Sequence, residues 1–314
     1  MISPSPKIEL RRLHRFFGTV RAVDDVSFEV AKGQVFGYIG PNGAGKTTSM
    51  RILATLDLPS YGDAYVDGFS VVNDPERVRR RLGFMPDYFG AYPNVNCREY
   101  LDFFARAYGL VGKERQQALR RVMSFTGLDA LAEKPTRGLS KGMKQRLCLG
   151  RAMIHDPAVL ILDEPAAGLD PRARIELRIM IRELAAEGKT ILVSSHILTE
   201  LAEMCDQVGI LEQGRLLAVG SVEEIQKAQR THSDVKVRVL GGGGPLAAWL
   251  GHRDDVERIE VDGELVHFSH QGDRHAEAAL LRAMVEAGFE IIEFGSKQKS
   301  LEDVFMQVTR GAVQ

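Results

Sequence analysis

The sequence predicts an α/β fold built on a mixed β sheet with a helical subdomain, followed by a small α+β domain of ferredoxin-like order. Three observations predict it. Residues 34–39 form an apolar run of strand length, the glycine-rich stretch GPNGAGKTT follows from Gly40 to Thr48, and residues 47–56 read as helix. Residues 159–162 are four apolar residues closed by Asp163-Glu164-Pro165, the pattern of a buried parallel strand that delivers two carboxylates at its C-terminal edge. From about residue 233 the pattern resets to β-α-β-β-α-β plus one helix.

The elements follow in order. Strands are expected over residues 8–13, 26–30, 35–39 and 64–66, with Phe17 ahead of Gly18 in the turn between the first two. An aromatic there suits a flat ring stacked on it or a place in the core. Residues 75–81 read as a short basic helix whose Arg77, Arg79, Arg80 and Arg81 form a solvated face, and residues 82–85 as a short strand closed by Pro86. Tyr88, Phe89, Tyr92 and Pro93 then cluster in a loop, as core or as a partner-facing surface.

A helical subdomain is expected over about 95–155. Tyr100, Phe103, Phe104 and Ala107 recur at i, i+3, i+4 and i+7 as one apolar face, and Leu119, Val122, Met123 and Phe125 form another. Ser140 is a natural N-cap for a helix running to about residue 154. Pro171 opens the next helix, residues 190–194 form another buried strand, and His196 follows directly. Two strands, 207–211 and 214–219, and a helix over 222–229 complete a first domain of residues 1–232.

In the second domain, 233–314, Val235, Val237 and Val239 alternate as in a half-buried strand. Gly241 to Gly244 with Pro245 read as a turn or a flexible linker, and residues 246–250 as helix. Asp262-Gly263 signals a hairpin pairing residues 265–268 back, and a helix (276–287), a strand (289–294) and a final helix (300–309) follow. No nucleophile, base or metal-ligand set clusters there, which favours regulation or oligomerisation over chemistry.

Composition bounds the function. The 314 residues are 44% hydrophobic and 26% charged, as in ordinary globular proteins, and the net charge of -1 argues against a broadly cationic nucleic-acid surface. Cys97, Cys148 and Cys205 are far apart and contain no C-x-x-C, so neither a disulfide framework nor a zinc site is expected and a reducing cytosol fits. No signal-peptide pattern and no run of about 18 apolar residues is present, so no membrane span is expected.

The loop from Gly40 to Thr48 matches G-x-x-x-x-G-K-[ST] through Gly40, Gly45, Lys46 and Thr47. Pro41, Asn42, Gly43 and Ala44 lie between the fixed positions, where backbone N–H groups curl toward phosphate oxygens. Lys46 supplies charge for β- and γ-phosphates, Thr47 a hydroxyl for Mg²⁺, and the following helix its positive end. The free N–H groups behind Ser140 form a second anion site.

With Leu139-Ser140-Lys141-Gly142-Met143, Asp163-Glu164, Asp170 and His196 in this order and spacing, the chain from about residue 8 to 229 resembles the nucleotide-binding subunit of an ABC transporter. Its ending, with Ser300 to Phe305, is similar to the appended domain of exporter-type ATPases serving drugs, antibiotics, polysaccharides or copper. The resemblance implies a P-loop NTPase core of ABC type, ATP and Mg²⁺ as cofactors, and a head-to-tail dimer with a second copy or a homologous ATPase subunit. It also implies a separate integral-membrane permease and a place on the cytoplasmic face of the membrane through that permease.

By resemblance, Lys46, Thr47 and Thr48 hold phosphates and Mg²⁺, Asp163 the ion's water shell, and Glu164 polarises the attacking water. His196 contacts the γ-phosphate, Phe17 stacks on adenine, Ser140 and Gly142 reach the partner's nucleotide, and Asp170, in the motif Ala167-Gly-Leu-Asp170, counts among the nucleotide-binding residues. A carboxylate for metal beside one for water suits phosphoryl transfer, which depends on positioning and charge neutralisation.

Two departures stand out. Lys141 and Met143 replace the family's glycine and glutamine in the signature loop, which removes half of a capping box. Asp87 stands where the family has a glutamine linking Mg²⁺ to the membrane subunit. A regulatory subunit with weak ATPase is one alternative; a soluble ABC ATPase acting on ribosomes or DNA is another. The single P-loop and the 93 positions between Thr47 and Ser140 leave no room for tandem cassettes or a long inserted coiled coil.

Overall fold

A computed structural model describes residues 5–88, 90, 94–221, 224 and 233–297. The chain divides into two compact units, Met1–Ser221 and Val222–Gln314. The first carries two sheets. One is antiparallel, ordered β2-β1-β4-β5, from β1 (Ile8–Phe17), β2 (Val20–Val30), β4 (Tyr61–Val66) and β5 (Phe69–Ser70). The other is ordered β10-β9-β3-β8-β7-β6, from β3 (Val35–Ile39), β6 (Leu82–Met85), β7 (Val159–Leu162), β8 (Thr190–Ser195), β9 (Gln207–Glu212) and β10 (Arg215–Gly220). β9, β3, β8, β7 and β6 run parallel and β10 antiparallel.

The parallel strands are buried on both faces, which is why β3, β7 and β8 read as continuous apolar runs. Their registers set Ile39 opposite Ser195, Leu162 opposite Val193 and Met85 opposite Leu162. Every segment leaving a carboxyl end in this group therefore emerges on the same edge of the sheet. Phe28, Phe36 and Tyr38 pack between the sheets, Phe28 and Phe36 stacked at 4.7 Å.

Helices α1 (Lys46–Leu53), α2 (Pro75–Arg81), α3 (Cys97–Ala107), α4 (Gly112–Phe125), α5 (Lys141–Met153), α6 (Pro171–Ala186) and α7 (Leu198–Ala202) fill the connections. α2, β6 and β7 have the expected bounds, whereas α1 ends at Leu53 rather than residue 56. The apolar face of α3 is shifted from the expected one: Cys97, Tyr100, Leu101 and Ala105 are buried, while Phe103 is 53% exposed and Ala107 is exposed. The stripe Cys97, Tyr100, Leu101, Phe104 and Ala105 has the same helical period, so spacing alone cannot choose between the two faces. Asn96 and Glu99 form a reciprocal capping box that starts α3.

The second unit is a four-stranded antiparallel sheet, ordered β12-β13-β11-β14, from β11 (Ser233–Val239), β12 (Val256–Asp262), β13 (Leu265–His270) and β14 (Ile291–Lys297). With the helices Gly243–Leu250 and Arg274–Glu286 this is the β-α-β-β-α-β order of a ferredoxin-like unit. Val235, Val237 and Val239 face a core shared with Leu246, Leu250, Phe268, Leu280 and Met284. Gly243 and Gly244 belong to the first helix and are not a linker; Pro245, in its first turn, has no N–H to waste there. The hairpin pairs Asp262 with Leu265, so its two-residue loop is Gly263-Glu264, one position later than the sequence signal. Phe89, Tyr92 and Pro93, the expected helix over 222–229 apart from Glu224, and the expected helix over 300–309 lie outside the described residues.

Candidate functional site

Four of the segments at the carboxyl edge bring the sequence-predicted residues together. After β3 the chain passes through Gly40, Pro41, Asn42, Gly43, Ala44 and Gly45 into α1. Gly40 and Gly45 cannot be replaced freely: a Cβ would lie 2.3 Å from the Leu211 carbonyl oxygen at Gly40 and 2.2 Å from that of Ala22 at Gly45, which also has φ 103°. Ala44 is buried, with its N–H donating to Pro41 O and its carbonyl accepting from Gly214 N. Thr47 is exposed and Thr48 partly so, on the first turn of α1.

Lys46 is 5% exposed, and its Nζ donates to Gly40 O at 2.6 Å and to Pro41 O at 3.3 Å. Nζ also lies 3.6 Å from Glu164 Oε1. Burial holds this ammonium below the ordinary lysine pKa, while Glu164 and Asp163 pull it back up.

After β7, Asp163 and Glu164 enter the site under the control of Ser194 on the neighbouring strand. Ser194 Oγ donates to Asp163 Oδ1 at 2.6 Å and accepts the Glu164 N–H at 2.9 Å, while Asp163 N donates to Met85 O at 2.8 Å. One hydroxyl thus fixes both carboxylate residues, and Glu164 is held at φ 47°, a left-handed conformation costly for a residue with a Cβ. Asp163 is 1% exposed, and burial raises its pKa above the ordinary carboxylate value against the opposing influence of the Ser194 and Thr47 hydroxyls. Its Oδ2 is buried without a hydrogen-bond partner.

After β8, His196 Nδ1 lies 2.9 Å from Glu164 Oε2. Glu164 therefore sits between a cation and an imidazole, with 16% of its side chain exposed. After β6, Asp87 lines a cleft of about 210 Å³ with Thr47, Arg51, Tyr88, Arg151 and Asp163. This arrangement can cradle polyphosphate on backbone N–H groups, place a charge on its terminal groups, and orient a water beside a carboxylate.

The remaining predicted residues lie elsewhere in the unit. Phe17 ends β1 and is 47% exposed, with the Arg15 guanidinium 4.5 Å from its ring centre. Ser140 caps α5 by accepting the Met143 N–H at 3.3 Å, as its N-cap reading requires. Gly142 follows in the first turn of α5, where a Cβ would lie 3.2 Å from Ala173 Cβ. Lys141 arches over Gly168, its Nζ 2.3 Å from where a Cβ of Gly168 would stand. Asp170 caps α6 through the Ala173 N–H at 2.9 Å. Cys97, Cys148 and Cys205 are buried and free.

Ser194 was not singled out from the sequence. A signal existed: a small hydroxyl residue ending a buried strand next to two carboxylates is a natural partner for them.

Known proteins resemble the chain over most of its length. The family described as ABC transporter matches residues 23–167, and the C-terminal domain of DrrA1-3-like ATP-binding proteins matches residues 220–309. The Nod factor export ATP-binding protein I of Ralstonia nicotianae is 35% identical over 312 residues, covering 98% of this chain and 95% of that protein. The bacitracin transport ATP-binding protein of Bacillus licheniformis is 33% identical over 307 residues, covering 97% of each. A solved ATP-binding subunit of an ABC transporter aligns with a TM-score of 0.65 at 32% identity, over 71% of this chain and 92% of that one. The chain belongs to the ABC transporter family as an ATP-binding, ATP-hydrolysing subunit, with a C-terminal domain of the DrrA1-3 kind.

Proposed function

We propose that two such subunits, this chain with a second copy or a homologue, close head to tail around two ATP molecules and drive a separate integral-membrane permease in export. The observation that carries the reading is Glu164 held between Lys46 and His196 at the mouth of the phosphate loop. Lys46 binds the β- and γ-phosphates, Glu164 polarises the attacking water, and His196 orients Glu164 and meets the γ-phosphate. Phe17 offers a ring face for adenine, while Ser140 and Gly142 present the N-terminus of α5 to the partner's nucleotide. Asp170, capping α6, holds the loop between the two sites in place.

The residues also fit Mg²⁺. Asp163 Oδ2 is a buried oxygen without a partner, Thr47 adds a hydroxyl, and Asp87 lines the same cleft, an all-oxygen set suited to a hard cation. Bound there, the ion would neutralise charge developing on the transferred phosphoryl group. Among the described residues no helix is long and apolar enough to cross a membrane, and the subunit would sit on the cytoplasmic face through the permease. The export and transport roles in the names of the two relatives support this over action on ribosomes or DNA.

Light scattering on the Glu164→Gln variant with MgATP tests the reading. The mass should double over that of the nucleotide-free variant. A variant that binds ATP and stays monomeric would overturn the head-to-tail dimer.

A further inference from the structure

The segments that leave β7 and β8 are tied together twice. In the site the tie is the contact of Glu164 with His196. Behind the site it is Arg174, at the first turn of α6. Arg174 Nε donates to Leu169 O at 3.0 Å, and its Nη1 lies 3.0 Å from Glu200 Oε1. Glu200, in α7, accepts the Ser195 hydroxyl at its other oxygen, Oε2, at 3.2 Å, and Ser195 Oγ in turn accepts the Ile197 N–H at 3.0 Å. Ser195 and Ile197 are the two residues that flank His196. On the β7 side a tight turn leads from Glu164 to Leu169: Ala167 N donates to Glu164 O at 3.1 Å and Leu169 N to Ala166 O at 3.2 Å. Glu164, Leu169, Arg174, Glu200, Ser195 and His196 therefore form a closed chain of contacts, with the 2.9 Å contact as its last link.

Burial does little to place the imidazole, because His196 is exposed just past the end of β8. Holding an exposed side chain in one geometry costs conformational entropy, so the backbone that carries it must be fixed by other contacts. Arg174 differs from its helical neighbours in what it spans. Arg178 pairs with Glu203, and Arg182 with Asp206 at 2.8 Å, one and two turns further along α6. Among the described residues neither of these arginines bonds to the loop after β7. Glu203 is 63% exposed, where an ion pair contributes little, whereas the Glu200 side chain is 14% exposed. A guanidinium also suits a two-sided contact, since its donors form a rigid planar fork that the point charge of a lysine does not reproduce.

We propose that Arg174 is a positioning residue for ATP hydrolysis, bridging Leu169 O and Glu200 so that the segments carrying Glu164 and His196 keep the spacing at which carboxylate and imidazole meet. The proposal rests on the reading of Glu164 and His196 as the pair that orients the attacking water. It goes beyond that reading by assigning the spacing of the pair to a side chain outside the phosphate loop. A misplacement of about 1 Å in such a geometry costs up to ~10²-fold in rate. The loss falls on kcat and not on KM, since among the described residues Arg174 makes no bond to the phosphate loop.

The test is steady-state ATPase kinetics of the full chain for wild type, Arg174→Met, Arg174→Lys, Glu200→Gln, the double variant Arg174→Met/Glu200→Gln, and Arg178→Met. Arg174→Met should lower kcat roughly tenfold or more while KM for ATP stays within about twofold of wild type. Arg174→Lys keeps the charge and loses the fork, and Glu200→Gln keeps the shape and loses the charge; both should fall below wild type in kcat. The double variant should be no slower than the slower single one, because both substitutions remove the same bridge. Arg178→Met breaks a neighbouring ion pair of α6 and should leave kcat and KM unchanged. Wild-type kcat in Arg174→Met would overturn the proposal. So would an equal loss in Arg178→Met, which would assign the effect to the seating of α6, or a double variant slower by the product of the single losses. Should Arg174→Met fail to fold, Arg174→Lys and Glu200→Gln carry the same test. Glu164→Gln in the same assay keeps two failures apart: wild-type turnover there would sink the site reading, whereas wild-type turnover in Arg174→Met alone would sink only the bridge.

Discussion

Glu164 and His196 share a 2.9 Å contact between Oε2 and Nδ1, across the carboxyl ends of two adjacent parallel strands. The contact aims the carboxylate while its other oxygen stays near Lys46. Replacing Glu164 by glutamine keeps the shape and removes the base. Steady-state ATPase turnover should fall by roughly 10²-fold or more, the usual scale of general-base loss, with ATP affinity retained. Turnover near wild type would show that Glu164 is not the base.

Ser194 is the residue on which the carboxylate pair depends. Ser194→Ala removes the donor to Asp163 Oδ1 and the acceptor for the Glu164 N–H, in a strand end that is fully buried. Leaving two such groups unsatisfied should cost about 1–3 kcal/mol of stability, read as a lower urea midpoint at unchanged slope. Turnover should fall as well, because the Glu164 N–H loses the acceptor that anchors its backbone at the strand end. An unchanged midpoint would mean that water replaces the hydroxyl without loss.

Chemistry confined to one segment was legible in the sequence, and chemistry made by strand order was not. The loop from Gly40 to Thr48 carries its own geometry, and Ser140 announces a cap three residues from the group it serves. The bounds of α2 and β7 were readable because proline, aspartate and unbroken apolar runs mark them locally. Ser194 has no such mark: its role exists only because β8 lies beside β7. Asp87 is placed near Asp163 by the family resemblance alone, and in the structure that nearness follows from the pairing of β6 with β7. The face of α3 is not legible because Phe103 and Phe104 are adjacent, and packing against α4 and α5, not periodicity, decides which of them turns inward.

Burial places the Asp163 pKa above the ordinary carboxylate value. A raised folded-state value means that the folded chain binds the proton more tightly than the unfolded one. Below the unfolded pKa the ionisation costs nothing; the penalty grows as pH rises through the ordinary carboxylate range and is complete above the folded value. Asp163→Asn removes it while leaving an oxygen for Ser194. In metal-free buffer the variant should match wild type in Tm at acid pH and exceed it at neutral pH. A constant difference across the titration would assign the effect to packing instead.

Every residue placed in the nucleotide site lies within the unit Met1–Ser221, and the second unit closes its own core around Val237, Leu246, Phe268 and Met284. Each unit has what an independent fold requires, a sheet with its apolar face covered by helices of the same unit. A chain ending at residue 232 should therefore fold cooperatively and bind ATP with the affinity of the full chain. Circular dichroism and nucleotide titration check the two halves of that statement. If the second unit regulates or dimerises the subunit, the truncated chain should differ in the protein concentration at which ATPase activity rises, since dimer formation completes both sites. Loss of helical signal on truncation would show that the two units share a core. Identical concentration dependence in a folded truncated chain would remove dimerisation from the second unit's roles.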